Sequence, residues 1–186
     1  MVRDLILIIL FISGNLVSDS LDSMVTYDEH FDIAIGYYNS QRYKLAESEF
    51  KKILIDRKNY SDPVSHLMLA KSQYFQNKII ECQRTCKSYL NKYPKSEYEI
   101  NVRVLISDLL IKQEKYSSVI EELLPVRLEA QDSLLQHNID SRILSSIMIG
   151  IRSSKIERLL FSNENRINRS ILNLARSYRS LLDGNT

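Results

Sequence analysis

Apolar side chains recur every three to four residues through most of this chain, and the recurrence loses phase at short polar intervals. Over residues 27–40, Phe31, Ile33, Ala34, Tyr37 and Tyr38 keep a period near 3.6 and predict a helix. Ser40-Gln41-Arg42 makes a turn, and residues 43–57 predict a return helix with Ala46, Phe50, Ile53 and Leu54 inward. Asn59-Tyr60-Ser61-Asp62-Pro63 closes the unit, Asp62 being suited to an N-cap and Pro63 to the first helical position. A second pair follows over residues 63–76 and 79–92 and ends at Tyr93-Pro94-Lys95-Ser96-Glu97-Tyr98, where Ser96 is expected to cap the next helix. A third pair spans residues 97–112 and 116–130, with Pro125 expected to kink or end its return helix.

Beyond residue 131 the regularity fades. Residues 139–151, with Ile143, Leu144, Ile147, Met148, Ile149 and Ile151, predict a buried helix. Residues 153–161 predict a short one, and Ser162-Asn163-Glu164-Asn165 a turn. Residues 166–182 are amphipathic. Ile167, Ile171, Leu174, Tyr178, Leu181 and Leu182 share one side, and Arg166, Arg169, Arg176 and Arg179 lie on the other.

The three pairs resemble one another. Gln41-Arg42-Tyr43-Lys44-Leu45-Ala46, Asn77-Lys78-Ile79-Ile80-Glu81-Cys82 and Glu114-Lys115-Tyr116-Ser117-Ser118-Val119 align, and Tyr43, Ile79 and Tyr116 fall 36 and 37 residues apart. Self-similarity at this period predicts an all-α stack of helical hairpins, none of which buries its apolar face alone.

The pattern resembles the tetratricopeptide repeat family over about residues 27–130. The first copy matches at Ala34, Tyr37, Tyr43, Ala46 and Phe50. The second matches at Leu69-Ala70, Cys82, Cys86, Tyr89 and Pro94, and the third at Ile106-Ser107, Tyr116, Val119 and Leu123. The linker Tyr93-Pro94-Lys95-Ser96 is similar to those of bacterial periplasmic proteins of this family. Among these are an outer-membrane barrel-assembly component, the Tol–Pal coordinator and the penicillin-binding-protein activators. The chain departs from the first in having no Cys after its apolar start, and from the last in that these 186 residues do not include the large ligand-binding domain that would follow, although Leu181-Leu182-Asp183-Gly184 suits the edge of such a module.

The resemblance implies a right-handed superhelix (α-solenoid) of about three hairpins over residues 21–130, with a divergent C-terminal helical cap over 131–186. It also implies a groove lined by the first helix of each pair. Mapped residue by residue, that groove takes Phe31, Ile35, Tyr38 and Asn39 from the first copy and Leu67, Lys71, Tyr74 and Phe75 from the second. Val104, Asp108, Ile111 and Lys112 come from the third. Aromatic anchors beside isolated polar groups suit capture of a peptide or helix. Filling of the same groove by the chain's own terminal helices is the competing expectation.

Composition narrows the function. The chain is 44% hydrophobic and 26% charged, enough apolar material for a core, and its four glycines and three prolines suit a nearly all-helical fold. From Ser141 onward eight basic residues face three acidic ones, while the preceding part holds 17 basic and 20 acidic. This asymmetry makes Arg166, Arg169, Arg176 and Arg179 a candidate face for an anionic membrane or nucleic acid. Nucleic acid is disfavoured because no aromatic residue shares the face of those arginines, Tyr178 lying on the other side of the wheel.

Residues 1–20 read as a secretory signal: Arg3, the apolar run from Leu5 to Ile12, then Ser18 and Ser20 at cleavage-type spacing. Export is therefore expected, to the periplasm or outer-membrane periphery in a bacterium.

Cys82 and Cys86 are expected as buried free thiols, too few for a structural zinc site. His30, His66 and His137 are expected at helix surfaces or edges. Asn59-Tyr60-Ser61 and Asn168-Arg169-Ser170 match the glycosylation triplet. No phosphate loop, nucleophile motif, metal motif or cofactor motif is present, so no enzyme, metal or cofactor is expected. The functional expectation is a non-enzymatic scaffold holding another envelope protein or peptide segment. The alternatives are an N-terminal module of a larger activator- or transporter-associated protein, serving self-association, and an anionic-surface binder with peripheral membrane contact.

Overall fold

The computed structural model describes residues 27–56, 62–130, 132–163, 165–182 and 184. The expected leader and residues 59–61 lie outside them. Among the described residues the protein is all-α, with nine helices and no strand. These are α1 (Tyr27–Asn39), α2 (Tyr43–Asp56), α3 (Pro63–Phe75), α4 (Ile79–Lys92) and α5 (Glu99–Lys112). They continue with α6 (Tyr116–Leu123), α7 (Ser133–Gly150), α8 (Ser153–Ser162) and α9 (Arg166–Leu182). No described helix is long and apolar enough to cross a membrane.

Each helix from α1 to α6 packs on its successor, and α9 packs on both α7 and α8. Beyond these neighbours, α3 meets α5 and α5 meets α7. The core follows the same order. Ala34, Ala46, Phe50 and Ile53 close the first pair against Leu69 of α3. Leu67, Ala70, Cys82, Cys86 and Tyr89 close the second against Val102, Leu105 and Leu109 of α5. Leu110 belongs to a third cluster with Val119, Ile120 and Leu123, which runs on through Ile139, Ile143 and Ile147 to Leu172 and Ala175. Each pair thus buries an apolar face only against the helix that follows it.

The reversals inside the three pairs are identical. Gln41, Asn77 and Glu114 have φ of 60°, 59° and 58°. Around each, the same two hydrogen bonds form: Gln41 N–H to Tyr38 C=O and Arg42 N–H to Tyr37 C=O, at 3.0 and 2.8 Å. Their counterparts are Asn77 to Tyr74 and Lys78 to Gln73, then Glu114 to Ile111 and Lys115 to Leu110, all between 2.9 and 3.0 Å. This is the double bond pattern of a left-handed helix terminus, and it satisfies carbonyls that the ending helix leaves open. The residue after each turn, Tyr43, Ile79 or Tyr116, begins the return helix. In the first and third pairs that residue meets the end of the next pair's first helix. Tyr43 stacks on Phe75, and Tyr116 lies so close to Gly150 that a Cβ there would fall 1.9 Å from the ring.

Several elements match their expected form. Asp62 caps α3, its Oδ1 accepting from Ser65 N–H at 2.9 Å, and Pro63 opens the helix. Cys82 and Cys86 are buried free thiols, and Cys82 Sγ donates to the Ala70 carbonyl at 3.2 Å. Contact with Cys82, followed by burial, holds the Cys86 thiol far above its ordinary range.

Other elements differ. The return helix of the third pair ends at Leu123, well short of residue 130, because Pro125 has no N–H to continue the ladder. Helix α7 starts at Ser133, earlier than expected, where Asp132 Oδ1 accepts from Leu134 N–H at 2.9 Å. Ser96 does not cap α5; its hydroxyl lies 2.7 Å from that of Tyr89. His66 is a core residue, with the rings of Tyr89 and Tyr93 edge-on at 5.7 and 5.6 Å. Burial, then Lys92, pushes its pKa down to about 4 against a small opposing effect of Asp62, so the ring is neutral at pH 7. Asn168 is buried and its amide donates to the Leu124 carbonyl at 3.1 Å, which removes it as a glycan acceptor.

Helix α9 also turns differently from its wheel. Asn168, Ile171, Leu172 and Ala175 are buried, whereas Leu174, Tyr178, Leu181 and Leu182 are exposed. Contact with both α7 and α8 selects a face rotated from the apolar maximum.

Substitutions at Glu114, Asn77 and Gly150 test this construction. Glu114→Gly relieves the left-handed strain at no cost in contacts and should raise the free energy of unfolding by about 1 kcal/mol. Asn77→Gly should do less, since Asn tolerates that conformation; urea midpoints at constant slope read the difference. Gly150→Ala drives a methyl into the Tyr116 ring and should cost about 2 kcal/mol or more. In a double-mutant cycle with Tyr116→Ala, most of that cost should vanish.

Candidate aromatic surface at the helix ends

The first reversal brings Tyr38, near the end of α1, opposite Tyr43, the first residue of α2. Their rings meet edge-on at 5.5 Å. Phe75, the last residue of α3, stacks on Tyr43 at 4.8 Å with planes 16° apart, and lies edge-on to Tyr38 at 6.0 Å and Tyr74 at 5.4 Å. Lys112 Nζ, at the end of α5, sits 4.1 Å from the Tyr74 ring centre. The ends of α1, α3 and α5 therefore carry a row of three aromatic rings and a cation, with Phe75 still 52% exposed.

A buried carboxylate supports this row from beneath. Glu47 is only 3% exposed and accepts from Lys51 Nζ at 2.7 Å, Lys78 Nζ at 2.6 Å and Gln76 Nε2 at 2.8 Å. Gln76 Nε2 also lies 3.1 Å from the Tyr43 carbonyl, tying the residue after Phe75 to the start of α2. Burial alone would raise the Glu47 pKa, but the hydrogen bonds from Lys51, Lys78 and Gln76 outweigh it and hold the group at about 2.

The remaining groove candidates fall at different depths. Phe31 is half-buried, edge-on to Phe50 at 6.1 Å, and Ile35 packs beside it on the same core. Asn39 is exposed at the end of α1. Leu67 is buried among α3, α4 and α5, so it lies beneath the surface and not on it. Lys71 is half-buried, and burial lowers its pKa. Burial raises the hydroxyl pKa of Tyr38, with Tyr43 adding to it; burial and then Asp108 raise that of Tyr74. Val104 and Ile111 pack against the C-terminal core cluster. Asp108 is committed to Arg142 of α7 in a two-point pair at 2.7 and 3.1 Å, which joins α5 to α7.

The candidate arginines separate in the same way. Arg166 and Arg169 are exposed. Arg176 lies 3.5 Å from Glu157, and Arg179 donates to the Met148 carbonyl at 3.1 Å. Sequence reasoning passed over Glu47, although an acid beside inward-facing Ala46 and four residues before Lys51 was a readable sign of a buried ion pair. It also passed over Arg142, whose partner lies 34 residues away. Comparison of the chain with known protein families, curated proteins and solved structures gives no match.

Ionised Glu47 stabilises the fold above its unfolded pKa of 4.5, and that contribution is lost as pH falls toward about 2. Urea stability should therefore drop between pH 4.5 and 2, by on the order of 2–3 kcal/mol for this group. Glu47→Gln should flatten that limb while leaving the earlier loss between pH 6.5 and 4, which comes from His66.

Proposed function

We propose that this chain is a non-enzymatic scaffold that holds another protein on the surface formed by the ends of α1, α3 and α5. In this reading it is a right-handed superhelix of three tetratricopeptide-like hairpins, closed by the C-terminal helices and acting in the cell envelope. Identical reversals at Gln41, Asn77 and Glu114, and the direct approach of α3 to α5 and of α5 to α7, support the repeat architecture. The envelope assignment rests on the apolar segment from Leu5 to Ile12.

The row of Tyr38, Phe75, Tyr74 and Lys112 carries the functional reading. Rings that are already packed edge-to-edge lose little conformational freedom when a partner covers them, so burying the half-exposed Phe75 yields most of its transfer free energy. Aromatic anchors of this kind carry much of the energy of protein interfaces. Lys112 adds a cation whose attraction to the Tyr74 ring holds it over the surface.

A photo-reactive amino acid placed at Phe75 in native cells should cross-link one discrete polypeptide, identifiable by mass spectrometry. The Tyr38→Ala, Tyr74→Ala double variant should recover that polypeptide at least about tenfold less efficiently at unchanged helix content. Equal recovery by the double variant would sink the assignment.

A further inference from the structure

A groove of about 990 Å³ separates α8 from α9. Arg158 lines it from α8, Arg169, Asn173 and Arg176 line it from α9, and Glu157 and the Phe161 ring flank them. Phe161 is 95% exposed, an unusual position for a phenyl ring beside three guanidinium groups. The sequence hid this arrangement, because the aromatic residue arrives from a different helix than the arginines it joins.

The charges in the groove are weakly engaged. Arg176 meets Glu157 at 3.5 Å, both side chains half-exposed. Arg158 Nε approaches only the Ser154 carbonyl, at 3.4 Å. Among the described residues no carboxylate pairs with Arg158 or Arg169. Lys155 extends the cationic row one turn back along α8, held loosely by Glu121 at 3.5 Å.

We propose that this groove binds a short, extended acidic segment of a partner polypeptide, with one apolar side chain of that segment packed on Phe161. Guanidinium forks match carboxylates two-to-two, and Glu157 already places a carboxylate where the incoming ones must lie. The incoming acid displaces Glu157 from Arg176, and the Asn173 amide is placed to bond the segment's backbone. Arg169 and Arg176 are seven residues apart on one helix, or ~10 Å, so about three residues of extended chain lie in the groove at once.

The same features disfavour other polyanions. A flat bilayer surface meets the exposed Phe161 ring and guanidinium groups but gains nothing from Asn173, whose amide suits a peptide backbone. A single-stranded nucleic acid gains from successive stacking rings, and the groove supplies one. Glu157 and the acidic surplus before residue 141 repel a long polyanion but leave room for a short one. Exposed ion pairs are individually weak, so binding is modest and salt-sensitive. None of the residues involved belongs to the aromatic surface on α1, α3 and α5, so the two assignments stand or fall separately.

The test is fluorescence anisotropy of the full chain with a labelled heptapeptide of alternating Glu and Asp around a central Phe. Binding should weaken at least about fivefold between 20 and 200 mM salt. The Arg158→Glu, Arg169→Glu pair should weaken it at least about tenfold, and Phe161→Ser about threefold, at unchanged helix content. Glu157→Gln removes the internal competitor and should tighten binding about twofold, a gain that misfolding cannot produce. The proposal is overturned if the peptide fails to bind, or binds the charge-reversed protein equally. It is also overturned if Glu157→Gln weakens binding, or if a twelve-residue oligothymidylate or anionic phosphatidylglycerol vesicles bind more tightly than the peptide.

Discussion

Gln41, Asn77 and Glu114 each hold a left-handed backbone conformation that L side chains adopt reluctantly, and the reversal they produce sets the direction of the return helix in each pair. A reversal two residues beyond the helix end leaves no slack. The chain must re-enter a helix at Tyr43, Ile79 or Tyr116, whose side chains therefore emerge at the same height in each pair. In two of the three pairs that residue touches the end of the next pair's first helix. The aromatic row and the tight Gly150–Tyr116 approach are thus consequences of one backbone device. Strain at the three positions is offset by the carbonyls it satisfies and by the apolar faces it brings into register.

Ion pairs between elements reinforce the order that packing sets. Glu47 of α2 binds Lys78 beside α4, Arg103 of α5 binds Glu99 on its own helix and Glu122 of α6 at 2.6 Å, and Asp108 of α5 binds Arg142 of α7. Arg127, buried after α6, binds Asp140 of α7, with Nη2 at 2.8 Å from Oδ2. Apolar contact tolerates small slips between stacked helices, whereas a buried or half-buried pair with fixed hydrogen-bond geometry does not. Glu47 illustrates the point most sharply: a carboxylate 3% exposed remains ionised only while donors from two different pairs surround it.

Local chemistry made much of this legible in the sequence. The span of α4 from Ile79 to Lys92, the Asp62–Pro63 start of α3 and the buried thiols all follow from residues close in the chain. Misreadings arise where a distant partner decides. The sequence leaves Pro125 open between a kink and a stop, and its missing N–H makes it the stop expected there, with α6 ending at Leu123. Asn168, 44 residues further on, then donates to the Leu124 carbonyl, and no local pattern announces that bond. The wheel of α9 correctly finds an amphipathic helix, yet Ala175 and Asn168 are buried while Leu181 is exposed, because close approach to α7 and α8 favours small or hydrogen-bonded groups over bulky apolar ones. His66 went astray for a related reason: a neutral imidazole is acceptable in a core lined by tyrosines, and its helix position alone does not show the rings of Tyr89 and Tyr93.

The basic surplus after Ser141 takes on a different meaning once each charge has a location. Arg142 belongs to the Asp108 pair, and Arg179 is held to the Met148 carbonyl by an exposed hydrogen bond. Arg176 and Lys155 hold their acids only at 3.5 Å, the loose end of ion-pair geometry. The charges that remain weakly engaged converge on α8 and α9, at the far end of the chain from the aromatic row. Residues that stabilise the stack and residues that face outward are therefore separated along the helices: pairs in the middle lock successive elements, while the outermost helices keep cations whose field is not cancelled from within. Net charge summed over the chain, at +2, conceals this division entirely.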